Sequence, residues 1–119
     1  MKVANKVTQV LVVRDDFSPT PGARKPHEGE FSGEDFRLKV LLPAVLSAIE
    51  NRQVLIVDMD GTAGFGTSFL EEAFGGLIRI NGINYHSLIE ILKIKSDEEG
   101  LLSDDIYRYI EDAYNVLSG

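Results

Sequence analysis

The stretch VLIVDMDGT, residues 54–62, decides the fold class because it joins a strand to a turn of small and acidic residues. Its first four residues are all apolar, which predicts a strand buried on both faces. After the turn, apolar residues recur at the spacing of one helical stripe. The members of this stripe are Phe69, Leu70, Ala73, Phe74, Leu77 and Ile78, with Glu71 and Glu72 outside it. A strand, a turn and a helix in this order indicate an α/β protein.

The rest of the chain extends this alternation of strands and helices. VTQVLVV, residues 7–13, predicts a buried first strand, and LKIKS, residues 92–96, predicts a strand that follows a helix. Ser32 predicts the cap of a helix that runs to about Arg52, with a kink or a break at Pro43. Ser103 predicts the cap of a final helix. The inner face of that helix is predicted to hold Ile106, Tyr109, Ile110, Ala113 and Leu117.

Residues 14–33 follow no helical or strand period and contain Pro19, Pro21 and Pro26. An irregular segment of this length in a compact domain is usually functional or disordered, unless it hides a short hairpin. We keep the hairpin as an alternative, with its second strand at residues 23–27 or 30–31.

Length, composition and charge limit the classes of protein to which this chain can belong. A chain of 119 residues with 44% hydrophobic residues predicts one domain over 1–119, without a separate substrate-binding cap. The net charge is −7, and residues 54–119 carry four basic against twelve acidic residues, which argues against a nucleic-acid partner. The chain has no cysteine and only His27 and His86, so we expect no metal site. Without a long apolar run or a secretory signal, we expect a cytoplasmic protein that is not bound to a membrane.

The sequence DMDGT also resembles the first motif of the haloacid dehalogenase-like phosphotransferases. That resemblance implies a small Mg²⁺-dependent phosphohydrolase in which Asp58 attacks a phosphoryl group and Asp60 assists. Such a site needs a lysine and another acidic residue, for which Lys93 or Lys95 and the pair Asp104 and Asp105 are candidates. Asp104 and Asp105 follow the lysines too closely for another strand and crossover between them, and only 57 residues follow Thr62, fewer than that family has after this motif. The competing interpretation is that both aspartates bond N–H groups of the turn.

A second resemblance covers nearly the whole chain. FSPTPGAR, EFSGEDFR, LLPAVLSAIE, VLIVDMDGTAGFGTSFLEEAFGGLIR and the acidic last helix resemble a bacterial family of unknown function called STAS-like, related to the anti-sigma factor antagonists. This resemblance implies a sandwich with a four- to five-stranded mixed sheet and helices mainly on one face. It also implies a non-enzymatic regulatory module that binds a protein partner and uses no cofactor.

In the anti-sigma factor antagonists, Asp-Ser-Ser-Gly opens the helix after this strand, and a kinase of the histidine-kinase-like ATPase fold phosphorylates the first serine. Aligned without gaps, this tetrad falls on Gly66, Thr67, Ser68 and Phe69. Thr67 takes the position of the modified serine, whereas Gly66 and Phe69 depart from the pattern. Thr67 and Ser68 are therefore candidates for phosphorylation, although Ser68 and Glu71 also fit a capping box.

Two further sets of residues are candidates for binding. The partner-binding surface is predicted to include Asp60, Gly64, Phe65, Gly66, Glu71 and Glu72. Arg24, Arg37 and Arg79 are candidates for binding an anion, because guanidinium groups bind phosphate or carboxylate bidentately. The alternative, which is the commoner role of such arginines, is pairing with the many acidic residues of the chain. A symmetric dimer through the first strand or the glycine-rich helix stays open.

Overall fold

The protein folds around a three-stranded parallel sheet in strand order β1-β2-β3. The structure, a computed structural model, describes residues 7–118, so residues 1–6 and 119 of the predicted domain lie outside the described part. The strands are β1 (Thr8–Val12), β2 (Val54–Asp58) and β3 (Leu92–Lys95). The prediction of a mixed sheet with four or five strands is wrong for residues 7–118. Helices join each strand to the next, and such crossovers return the chain in the same direction.

Within the described residues 7–118, helices cover one face of this sheet and leave the other face open. Val10 pairs with Ile56, which pairs with Lys93, so these three side chains share one face. Leu55 and Val57 point to the other face and are buried, whereas Ile56 is half-buried and Val10 is 58% exposed. The prediction that β2 is buried on both faces is therefore wrong. The predicted first strand is present at Thr8–Val12, but only Leu11 of it is buried, because β1 lies at the edge of the sheet and Val10 points to the open face.

Helix α1 (Val13–Asp16) is a single turn that ends β1, and helix α2 follows the irregular segment. Helix α2 consists of Gly33–Phe36, a π-helical turn at Arg37–Leu41, and Leu42–Asn51. The predicted cap is confirmed, because Ser32 Oγ accepts a hydrogen bond from the N–H of Asp35 at 3.1 Å. The predicted kink takes the form of the π turn, in which the N–H of Leu42 donates a hydrogen bond to Arg37 O, five residues earlier. Pro43, which follows directly, has no N–H to continue the usual ladder.

Helix α3 follows β2 and consists of Thr67–Leu70, a second π turn at Glu71–Gly75, and Gly76–Arg79. All six residues of its predicted apolar stripe are buried. Helix α4 (Tyr85–Ile91) runs directly into β3, as LKIKS predicted. Helix α5 (Leu102–Ser118) packs against α3.

Two predictions about α5 need correction. The helix begins at Leu102, so Ser103 lies within its first turn and is not its cap. The N–H of Asp105 instead bonds to Leu101 O at 3.1 Å. Ile106, Ile110 and the other predicted inner positions are buried or half-buried, except Leu117, which is 59% exposed because it lies in the last turn.

The irregular segment 14–33 contains a short 3-10 turn at Pro26–Glu28 but no strand, so the hairpin alternative is wrong. It closes on itself through the N–H of Gly22, which bonds to Phe31 O at 2.8 Å. Its Phe17 packs on the aromatic core, in which the rings of Phe36 and Phe69 stack at 5.7 Å. Within residues 7–118, no helix is long and apolar enough to cross a membrane.

Candidate functional site

Charged side chains meet at the carboxyl ends of β2 and β3, which is where open α/β sheets usually bind their ligands. Lys95 ends β3, and its Nζ lies 2.9 Å from Asp60 Oδ2 and 3.9 Å from Asp58 Oδ2. Asp97 approaches the same ammonium group at 3.1 Å. The loop from β2 to α3 therefore shares a charge cluster with the loop from β3 to α5.

Asp60 ties these two loops together. Its carboxylate accepts hydrogen bonds from the backbone N–H of Glu98 at 2.9 Å and of Asp97 at 3.0 Å. The bond from Glu98, together with those from Lys95 and Asp97, lowers the pKa of Asp60 to about 2. The N–H of Gly61 donates in return to Glu98 Oε1 at 2.7 Å. Asp60 thus positions the loop that was predicted to bind a partner.

Asp58 acts within the turn. Its Oδ1 accepts the N–H of Asp60 at 3.0 Å, which is the turn role predicted for it. The same prediction is wrong for Asp60, whose carboxylate bonds N–H groups of the loop after β3. Among residues 7–118, no three His, Cys, Asp or Glu side chains form a group that could hold a metal ion. Asp104 and Asp105, predicted to complete a phosphotransferase site, lie in the first turn of α5. The geometry thus lends no support to the phosphohydrolase alternative.

Thr67 and Ser68 lie at the surface in the first turn of α3, and both are exposed. The N-cap of this helix is Gly66 in an extended conformation, and no side chain in the described part of the chain caps the helix. The first backbone hydrogen bond of the helix runs from the N–H of Leu70 to Gly66 O. The N–H groups of Thr67, Ser68 and Phe69 come before this bond, so the helix itself offers them no acceptor. The start of α3 therefore presents two hydroxyl groups beside N–H groups that have no partner within the helix.

The capping box predicted for Ser68 and Glu71 is not formed. Because the helix begins at Thr67, Ser68 is its second residue and not its cap. Glu71 instead bonds to Arg24 at 2.6 Å and also pairs with Arg79. Local spacing alone suggested the box, whereas the carboxylate binds Arg24, 47 residues away, and Arg79, eight residues further along α3.

The glycines and the aromatic residue of the predicted surface differ in accessibility. An added side chain would meet nothing within 4 Å at Gly64 or at Gly66. Gly64 has a φ of 123°, a backbone conformation that favours glycine. Phe65 is half-buried and contacts Phe69, with 5.5 Å between ring centroids. The backbone of the loop is therefore accessible at Gly64 and Gly66, whereas the ring of Phe65 is held in part by its contact with Phe69.

Glu72 cannot contact a partner in this conformation, because it is only 2% exposed. It forms an ion pair with Arg37, whose side chain is likewise 2% exposed, and Arg37 also donates to Glu72 O at 2.8 Å. The prediction that Glu72 lies outside the buried face is wrong. The π turn at Glu71–Gly75 adds a residue to one helical turn and so changes which side chains face inward.

The predicted anion-binding arginines bind carboxylates of the chain itself. Arg24 lies 2.6 Å from Glu71 and 3.3 Å from Glu72, and Lys25 lies 3.5 Å from Glu72. Burial raises the pKa of Glu72, but its hydrogen bond and charge interaction with Arg37, the charge of Lys25 and the bond from Arg24 lower it overall. An external anion at Arg24 or Arg37 would have to compete with these acids. Anion binding stays a prediction.

Sequence comparison assigns the central part of the chain to a family. The family described as a STAS-like domain of unknown function matches residues 32–100, which include α2, β2, α3, α4 and β3. No curated protein and no solved structure gives a significant match. The matched segment is more than half of the chain and contains the loop with Asp60 and Thr67. The chain therefore belongs to the family of STAS-like domains of unknown function.

Proposed function

We propose that this domain is a non-enzymatic regulatory module that binds a protein partner through residues 60–68 and the start of α3. Thr67 is the position at which phosphorylation switches that binding. The observation that carries the proposal is the exposed Thr67 hydroxyl at the start of a helix without a side-chain cap. A phosphate there would meet free N–H groups and the positive end of the helix dipole.

The departures from the anti-sigma factor antagonist pattern are compatible with this role. Phe69, which stands in place of the glycine, is fully buried and leaves the outer surface of the helix unchanged. Gly66, which stands in place of the aspartate, has open space around it. Both hydroxyl groups thus stay accessible to a kinase, and by the family resemblance we expect a cytoplasmic kinase of the histidine-kinase-like ATPase fold.

The charge of the surface indicates the chemistry of the partner. Asp58, Asp60 and Asp97 all pair with Lys95, and the nearby Arg14 pairs with Asp15, so the edge of the sheet carries an excess of negative charge. Phosphorylation would add close to two further negative charges beside it. The affinity of a partner with a basic surface would change with that increase in negative charge.

Phosphopeptide mapping of residues 54–79 from native cells, under mild conditions that preserve acyl phosphates, tests the proposal. We expect phosphate on Thr67, with Ser68 as the second position. An unmodified segment under several growth conditions would contradict the switch. Phosphate on Asp58 would contradict it too and would restore the phosphotransferase interpretation.

Substitution of Thr67 tests the binding surface separately. We expect Thr67→Glu to change the affinity for the partner captured from native cells by about five- to tenfold, while Thr67→Val leaves it near the wild-type value. Asn115→Asp, on the exposed surface of α5, adds the same charge elsewhere and serves as the control. Equal affinities for Thr67→Glu and the control would rule out this surface.

A further inference from the structure

A second surface lies between the irregular segment 14–33 and α2. It is a cleft of about 420 Å³, within the range of roughly 300–1,000 Å³ that is typical of ligand pockets. Phe17, Phe31 and Val40 supply its apolar lining. Carboxylates and one lysine surround these residues. No part of this cleft belongs to the loop that carries Thr67.

Phe31 is held at the surface of this cleft in an unfavourable backbone conformation. Its φ is 57°, in the left-handed region that bulky residues rarely adopt. Its carbonyl accepts the N–H of Gly22 at 2.8 Å, and Ser32 caps α2 directly after it, so the chain on both sides fixes this conformation. The residue is 40% exposed, and its ring meets Phe17 edge-on at 5.8 Å. Non-glycine residues held in the left-handed conformation cluster at functional sites.

The rim of the cleft is acidic. Asp16, Glu30 and Asp35 contribute three carboxylates, and Lys39 contributes one cation, which lies 3.6 Å from Asp35. The rim therefore carries a net excess of two negative charges. An apolar floor inside such a rim complements a segment that has an apolar side chain between basic residues.

We propose that this cleft binds a basic peptide segment of a protein partner. One apolar side chain of that segment packs against Phe31 and Phe17, and its lysine or arginine residues pair with Glu30 and Asp16. This binding requires neither phosphorylation nor the loop at Thr67, so it can fail while the proposed switch stands.

Titration of the isotope-labelled protein with three synthetic peptides, followed by NMR, tests the proposal. The first peptide has a central Phe flanked on both sides by Lys and Arg. The second has Ser in place of Phe, and the third has Glu in place of every basic residue. We expect saturable shifts at the cleft with the first peptide. Its affinity should be about tenfold higher than that of the Ser peptide, because only the first peptide buries an aromatic ring.

The protein variant Phe31→Asn separates the cleft from the general negative charge of the surface. Asn tolerates the left-handed conformation, so this variant should keep the fold while it loses the preference for the Phe peptide. Ile80→Ser, which removes an apolar side chain that is 53% exposed elsewhere, is the matched control and should keep that preference. The proposal is overturned by equal affinity for the Phe and Ser peptides, by equal affinity for the Glu peptide, or by full binding to Phe31→Asn.

Discussion

Replacing Glu72 by Gln should destabilise the fold strongly, because it leaves the Arg37 guanidinium charged and buried without a counter-ion. The two side chains are only 2% and 3% exposed, so water cannot replace the lost carboxylate. Arg37 would keep the hydrogen bond from its Nη1 to Glu72 O, while its Nε already has no hydrogen-bond partner among residues 7–118. Breaking one side of a buried pair costs about 3–5 kcal/mol.

This loss is a large share of the total stability of a small domain, which is typically about 5–15 kcal/mol. We expect the melting temperature of Glu72→Gln to fall by about 10–20 °C. Replacing both partners, as in Arg37→Met with Glu72→Leu, removes the buried charges together. The double variant should therefore lie within about 2 kcal/mol of the wild type.

Urea unfolding followed by circular dichroism measures both effects in one series. Glu111→Gln, at an exposed position on α5, is the control and should change the free energy of unfolding by less than about 0.5 kcal/mol. A loss below about 1 kcal/mol for Glu72→Gln would refute the reasoning, because it would mean that the Arg37 charge is solvated. A double variant as unstable as the single one would refute it as well.

Three further predictions concern acidic pH and the backbone. The pKa of Asp60 falls from 3.8 to about 2 on folding, so its stabilising contribution is complete above pH 4 and is lost as the pH falls towards 2. The urea concentration at the unfolding midpoint should therefore fall less between pH 4 and pH 2 for Asp60→Asn than for the wild type. An equal fall in both proteins would contradict this. Gly33→Ala would place a Cβ 2.6 Å from a backbone oxygen of α3 and should cost about 1–3 kcal/mol. Gly100→Ala, which meets nothing within 4 Å, is its control, and equal thermal stability of the two variants would exclude the close approach. Arg52 ends α2 at a φ of 54°, so Arg52→Gly should raise the free energy of unfolding by about 0.5–1 kcal/mol, whereas Glu50→Gly inside the helix should lower it.

The sequence predicted those parts of the fold that depend on near neighbours. The apolar stripe of α3 follows the helical period, and the Ser32 cap needs only the N–H of Asp35, three residues away. The strand at LKIKS follows a helix as expected. Such patterns depend on residues that are close in the sequence and therefore stay close in any compact conformation. They can be recognised without the tertiary structure.

The candidate site was harder to predict because its contacts join distant segments. Ser68 and Glu71 have the spacing of a capping box, but Glu71 bonds to Arg24, 47 residues away. Glu72 is charged and was expected at the surface, but it meets Arg37 from the first π turn, 35 residues away. A buried arginine and a buried glutamate at positions separated in this way leave no periodic signal in the sequence.

By itself, the sequence determined the α/β class, the buried face of α3, the cap of α2 and the excess of negative charge. The tertiary structure decided that the described sheet has three parallel strands, that Glu72 faces Arg37, and that Phe31 lines an acidic cleft. The physical reason is the range of the interactions. Helical period and capping act over a few residues, whereas pairing across the core depends on how π turns and loops orient side chains after the chain has packed.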